Sequence, residues 1–245
     1  MSEILSIKHL SYIYINGNKH IKALKGIDFT VNEGSIFGFI GPNGAGKTTV
    51  IKLVLGMMIL QCGDITIYNK PVSDARARQR VGYMPEKADY YKYLTPEEIL
   101  WMYGSFFAIE RNTLKKRINN LLGLVDLENE KKRLMGTFSK GMMQRVSFAQ
   151  ALINEPDLLI LDEPMGGLDP LARRRMKEII FDLKNRGKTI FFSSHELSEV
   201  ELICDHIAVL NRGLLAVHGE VKDLLGKRQE GQSLENYFIN IIGDG

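Results

Sequence analysis

Residues Gly41 to Thr49 read GPNGAGKTT and lie between an apolar run, Ser35 to Ile40, and an amphipathic run that begins at Thr49. The spacing GxxxxGK[ST] in a strand–loop–helix setting is that of a phosphate-binding loop. Gly41, Gly44 and Gly46 let the backbone wrap closely, so that successive N–H groups point at one anion. The helix that follows adds its free N-terminal N–H groups and the positive end of its dipole. Asn43, Gly44, Ala45, Gly46, Lys47, Thr48 and Thr49 are therefore expected to cradle a nucleoside triphosphate. Lys47 would supply a cation for the β- and γ-phosphates, and Thr48 a hydroxyl for Mg²⁺. A second chemical segment, Asp157 to Pro164, reads DLLILDEP. Its apolar centre predicts a buried strand whose carboxyl end delivers Asp162 and Glu163 side by side. Ligands of doubly wound sheets sit at the carboxyl ends of strands, so both acids should arrive beside the phosphate loop. Asp162 suits the Mg²⁺ shell, and Glu163 suits polarising the water that attacks a γ-phosphate.

The elements that must position these groups are legible in outline. Ile4 to Tyr14 and Leu24 to Val31 alternate apolar and polar residues as half-buried strands do, with turn signals at Asn16-Gly17-Asn18 and Asn32-Glu33-Gly34. Val50, Leu53, Val54 and Met57 recur at helical spacing, with Gly56 inside that helix or ending it. Asp64 to Tyr68 is a further short strand. This part of the chain is expected to be antiparallel and to flank the loop. From Leu94 to about Asn154 the pattern is helical throughout: a start at Thr95-Pro96-Glu97-Glu98, an amphipathic face of Leu114, Ile118, Leu121 and Leu122, and a helix capped by Ser139 and running through Val146 and Ala149. Alternation of strand and helix then resumes, with a strand at Asp157 to Leu161, a helix from Leu171 to Arg186 closed by Gly187, a strand at Thr189 to Ser193, a helix from Glu196 and a strand at His206 to Leu210.

With 245 residues, 44% of them hydrophobic, the chain can bury one large α/β core carrying an inserted subdomain. The formal net charge of +3 is small and the charges are interspersed, so no nucleic-acid partner is expected. The cluster Arg173, Arg174, Arg175 reads as a solvated helix face. Cys62 and Cys204 are far apart and form no CxxC pair, which predicts reduced thiols rather than a disulfide or zinc framework. The start MSEILSIKHL carries no signal-peptide pattern. The longest apolar run, Leu53 to Leu60, is too short to span a bilayer, so any work at a membrane requires another polypeptide to do the spanning.

Phe138 to Arg145, FSKGMMQR, resembles the signature motif of ABC ATPases, commonly LSGGQxQR: Ser139, Gly141, Gln144 and Arg145 match, while Phe138, Lys140 and Met142 depart. In that family the segment faces the γ-phosphate held by the opposite subunit, and a helix N-terminus with a serine and a close-approaching glycine suits that task. Other landmarks follow in order. Gly167-Leu168-Asp169 resembles the loop that crosses the dimer interface, and His195 resembles the switch histidine that contacts the γ-phosphate. Tyr14 resembles the aromatic that stacks on adenine, with Tyr12 an alternative because strand alternation puts both on one face. Members of the family commonly carry Gln at the end of a VGYxxQ segment. This chain has Glu86 there, which can accept a hydrogen bond from water or join the Mg²⁺ shell but brings negative charge.

The resemblance covers nearly the whole chain. It implies an α/β P-loop NTPase core of the ABC ATPase type with an antiparallel β subdomain and an inserted helical subdomain: core at 1–86 and 155–220, helices at 87–154, and a helical tail at 221–245. Glu86, the SKGM segment and the closing SLENYFINIIG, with its stripe of Leu234, Tyr237, Phe238 and Ile241, resemble an exporter branch of the family. The implied activity is hydrolysis of Mg-ATP that powers a separate integral membrane permease. It would proceed in a head-to-tail dimer with a second copy or a paralogous ATPase, at the cytoplasmic face of the cell membrane. The aromatic stretch Tyr90, Tyr91, Tyr93, Trp101 and Tyr103 is expected to contribute to the permease contact, to the subdomain core, or to both. The alternative, a soluble ABC ATPase acting on ribosomes or DNA, is disfavoured by a single phosphate loop and the lack of sustained heptads.

Overall fold

The structure is a computed structural model that describes residues 2–226. Two long strands open the chain, β1 (Glu3–Asn16) and β2 (Lys19–Asn32), joined by a tight turn at Gly17 (φ 57°). With β4 (Cys62–Ile67) and β5 (Lys70–Pro71) they form an antiparallel sheet of order β2-β1-β4-β5. The second sheet holds β3 (Ile36–Ile40), β6 (Val81–Met84), β7 (Leu158–Asp162), β8 (Thr189–Ser194), β9 (His206–Asn211) and β10 (Leu214–Glu220) in the order β10-β9-β3-β8-β7-β6. Neighbours from β9 to β6 are parallel, and β10 joins the edge antiparallel. α1 (Lys47–Val54) follows β3, α5 (Pro170–Asn185) follows β7, and α6 (Leu197–Glu201) follows β8. Between β6 and β7 the chain forms α2 (Pro96–Ser105), α3 (Arg111–Leu124) and α4 (Lys140–Ala151), and α7 (Val221–Gly226) ends the described part.

The parallel strands are apolar on both faces, as a sheet covered on both sides must be. Alternate residues therefore feed two cores. Ile36, Ile40, Leu159, Leu161, Ile190 and Phe192 pack with the helical segment and α5. Phe37, Phe39, Leu158, Ile160 and Phe191 pack with α1 and the antiparallel sheet. Phe29 of β2 stacks on Phe37, Phe39 and Phe191 with ring centroids 5.3–6.1 Å apart, which joins the two sheets.

Several boundaries differ from the sequence expectation for identifiable reasons. β2 begins at Lys19 rather than Leu24 because residues 19–22 are all exposed and carry no alternation to read. α1 stops before Met57, with Gly56 in the left-handed conformation (φ 66°). The helical stretch is interrupted by 3-10 turns at Glu128–Glu130 and Met135–Thr137. β6 and β10 had no counterpart in the sequence reading: β6 has four residues, and β10 pairs at a sheet edge. The expected closing stripe of Leu234, Tyr237, Phe238 and Ile241 lies outside the described residues.

Candidate functional site

The order β9-β3-β8-β7 brings three carboxyl ends together: the glycine loop after β3, Asp162 at the end of β7, and Ser193 and Ser194 at the end of β8. Parallel register pairs Asp162 with Ser193 and Ile40 with Ser194. The loop turns sharply into α1. A Cβ on Gly41 would lie 2.2 Å from the Leu210 carbonyl oxygen, and Gly46, at φ 113°, would place one 2.8 Å from the Ala23 oxygen, so no other residue type fits either position. α2, α3, α4 and α5 each begin with a side chain accepting from their first-turn N–H groups, whereas α1 has none. Its orphan donors face a cavity of about 590 Å³ lined by Tyr14, Asn43, Gly44, Gly46, Lys47, Thr48, Thr49, Glu86 and Glu163, together with Lys22, Lys25 and Arg212.

Lys47 is buried and its Nζ donates to the Gly41 carbonyl at 2.6 Å while lying 3.4 Å from Glu163 Oε1. The other carboxylate oxygen of Glu163 is 2.8 Å from His195 Nδ1. Glu163 adopts a left-handed backbone conformation (φ 51°), which is strained for a non-glycine residue. Three bonds hold it there: its N–H donates to Ser193 Oγ at 2.9 Å, its carbonyl accepts from Gly166 N at 3.0 Å, and Gln144 Nε2 donates to the same carbonyl at 3.2 Å. Asp162 is 2% exposed and accepts from Ser193 Oγ at 2.6 Å. Burial pushes its carboxyl above the ordinary range, and the charges of Glu163 and Glu86 add to the rise. The Ser193 and Thr48 hydroxyls bond the carboxylate and oppose it. Burial beside Asp162 and Glu86 likewise pushes the Tyr83 hydroxyl up to about 12.

Among the described residues no three His, Cys, Asp or Glu side chains converge to hold a metal. Thr48 and Asp162 supply two oxygens next to the phosphate cradle, and this donor set fits Mg²⁺, which keeps waters and takes one or two carboxylates plus substrate phosphates. Glu86 lines the same cavity. Tyr14 and Tyr12 are separated by the structure: the Tyr14 hydroxyl lies 3.2 Å from Thr49 Oγ1 on the cavity wall, while Tyr12 meets it edge-on at 5.0 Å and packs against the core. Ala45 is buried under the loop. Ser139 and Gly141 do not line the cavity; Ser139 is exposed at the start of α4, accepting from Met142 N. Sequence reasoning missed Ser193, Lys22, Lys25 and Arg212. The serine pair at the end of an apolar strand was the available signal for the first; the three cations lie on exposed hairpins that leave no pattern.

A family model described as ABC transporter matches residues 24–166. The chain belongs to the ABC transporter family. It is an ATP-binding subunit of that family and an ATPase. The chain is 47% identical over 253 residues to an uncharacterized ABC transporter ATP-binding protein of Nostoc sp., covering 98% of this chain and 76% of that protein. It is 37% identical over 246 residues to a fluoroquinolones export ATP-binding protein of Mycobacterium tuberculosis, covering 100% of this chain and 78% of that one. A solved ATP-binding subunit of an ABC transporter superposes with a TM-score of 0.85 at 33% identity, over 97% of this ABC ATPase and 99% of the other. A dimeric cassette bound to ADP and Pi in a post-hydrolysis state, at 23% identity, shares the fold with a TM-score of 0.82 over 89% and 98% of the two chains.

Proposed function

We propose that this ABC ATPase powers a separate integral membrane permease, in the direction of export, as one half of a head-to-tail dimer that encloses two ATP molecules. The observation that carries this reading is the incompleteness of the cavity within one chain. Lys47, Thr48, Asp162, Glu163 and His195 converge, while the exposed Ser139 and the half-buried Gly141 lie outside the cavity, where they can serve a partner's γ-phosphate. The export direction is supported by the printed role of the M. tuberculosis relative and by Glu86 and the SKGM segment. The described residues contain no helix long and apolar enough to cross a membrane, which accords with a peripheral subunit held at the cytoplasmic face by its permease. Within the unit at 87–154, Tyr91 and Tyr93 are 59% and 69% exposed and stack at 5.5 Å, whereas Tyr90 is buried. The exposed pair suits an interface core. Residues 1–86 and 155–220 form the nucleotide core in this reading.

Tyr14 stacks on the adenine, and the loop N–H groups and Lys47 hold the β- and γ-phosphates. Thr48 and Asp162, with Glu86 nearby, would hold Mg²⁺, which when bound would supply neutralisation of the phosphate charge. Glu163 takes the proton of the attacking water, and His195 fixes the Glu163 carboxylate. ATP and water give ADP and phosphate.

Mixing tests the composite site. Ser139→Arg places a bulky cation where a hydroxyl must approach phosphate, and Lys47→Ala removes the phosphate cation; each chain alone should hydrolyse poorly. Their mixed dimer has one interface carrying both lesions and one carrying neither. The expected result is partial recovery of ATPase activity and one tightly held ATP per mixed dimer. Wild-type activity of Ser139→Arg alone, as a monomer, overturns the reading.

A further inference from the structure

Arg173, Arg174 and Arg175 are the fourth to sixth residues of α5, close to the end whose dipole favours acids rather than cations. Arg174 and Arg175 are 80% and 45% exposed and pair with Glu178 on their own helix, and Arg175 also lies 3.8 Å from Asp126. Arg173 is 33% exposed and reaches off the helix in two directions. Its Nε donates to the Leu168 carbonyl at 3.1 Å, and its Nη1 to Glu196 Oε2 at 2.9 Å. Leu168 belongs to the loop that leaves Glu163, and Glu196 directly follows His195. The Glu196 turn is itself closed locally, with its N–H donating to Ser194 Oγ at 3.0 Å. One guanidinium thus ties together the two loops that carry the Glu163–His195 pair.

We infer that Arg173 is a positioning residue for hydrolysis, holding the loop after Glu163 and the His195 turn in register so that the two side chains meet at 2.8 Å. The rigid fork of an arginine suits two acceptors on different segments; a lysine offers a point charge on a flexible stem. A part-exposed ion pair adds little to folding stability, so stability alone gives little reason for a cation at this position. Fixing the two loops does, because a small misplacement of reacting groups costs rate steeply. The inference rests on the proposed roles of Glu163 and His195.

The test uses the full chain with its partners as isolated, comparing Arg173→Ala, Arg173→Lys, Glu196→Gln and the double variant Arg173→Ala/Glu196→Gln. The expected result is a fall in kcat of about tenfold or more for Arg173→Ala, with KM for ATP and binding of a fluorescent ATP analogue within about twofold of wild type and Tm within a few degrees. Arg173→Lys should recover part of the loss, and the double variant should be no slower than the worse single one, because both remove the same tie. A kcat within twofold of wild type for folded Arg173→Ala, or multiplicative losses in the double variant, would each overturn the inference. If Arg173→Ala unfolds, Glu196→Gln carries the same comparison from the other end of the ion pair. Failure of the underlying roles is seen separately, as undiminished turnover in Glu163→Gln.

Discussion

Ser193→Ala removes one hydroxyl that serves both acids. Ser193 is fully buried; it donates to Asp162 Oδ1 at 2.6 Å and accepts from Glu163 N at 2.9 Å. The first bond goes to a carboxylate, and such bonds contribute about 1.5–3 kcal/mol; the second leaves a buried N–H without its acceptor, which costs about 1–3 kcal/mol. Two consequences separate on assay. Asp162 is already pushed upward by burial, and Ser193 is the foremost group opposing that rise. Losing it drives the carboxyl higher still, so at a given pH less of it is ionised and able to bind a cation. The Mg²⁺ concentration for half-maximal ATPase activity should rise by roughly 10- to 100-fold, taking every 1.4 kcal/mol as tenfold. The acid limb of the pH–rate profile should move toward higher pH. At saturating Mg²⁺ and alkaline pH a residual fall in kcat should remain, because the strained Glu163 backbone has lost one of its three ties. Ser193→Thr, which keeps the hydroxyl, should recover the Mg²⁺ dependence if its methyl is accommodated. A Mg²⁺ titration at several pH values measures all three effects, and an unchanged midpoint and profile in a folded Ser193→Ala protein would refute the reasoning.

Glu163→Gln should bind ATP at least as tightly as the parent, since the negative charge 3.4 Å from Lys47 is gone, while turnover falls roughly 100- to 10,000-fold; size-exclusion chromatography with ATP should show an accumulated dimer. Asp162→Asn should raise Tm at neutral pH in chelator without nucleotide. The folded-state carboxyl titrates above its unfolded value, so the parent loses stability as pH rises through the folded value, and the advantage of Asn should vanish at pH values below the unfolded one. Tyr14→Ala should weaken ATP binding by about 1–3 kcal/mol, the worth of stacking one base on an aromatic ring, with little change in kcat. Tyr12→Ala should instead lower Tm.

The chemistry at the sheet's carboxyl edge was legible because it depends on local pattern: a glycine loop needs its glycines in sequence, and a buried strand announces itself as LLIL before Asp162. Contacts between distant segments were not. Ser193 is 31 residues from Asp162, and nothing in TIFFSS distinguishes a serine that feeds an acid from one that ends a strand. Arg173 was read with its two neighbours as a solvated face because periodicity records which side of a helix a residue occupies, not how far a long side chain can reach. Tyr12 and Tyr14 share a face in any strand; only the path of β1 past Thr49 tells them apart. β10 escaped notice because its residues alternate between exposed and half-buried, without the apolar stripe a strand over a core would show.

Lys47 and Glu163 form an ion pair at 3.4 Å, although the proposed mechanism has each act on another group. Lys47 is buried and holds only the Gly41 and Pro42 carbonyls and the Glu163 carboxylate among the bonds described for it. A triphosphate entering the cradle offers Lys47 a stronger set of charge-assisted acceptors than one carboxylate at 3.4 Å. The lysine can therefore turn to the phosphates and release Glu163 Oε1, while Oε2 stays against His195 and the backbone stays tied to Ser193, Gln144 and Gly166. In the proposed mechanism that exchange would leave the Glu163 carboxylate free of Lys47 and available to water beside the γ-phosphate.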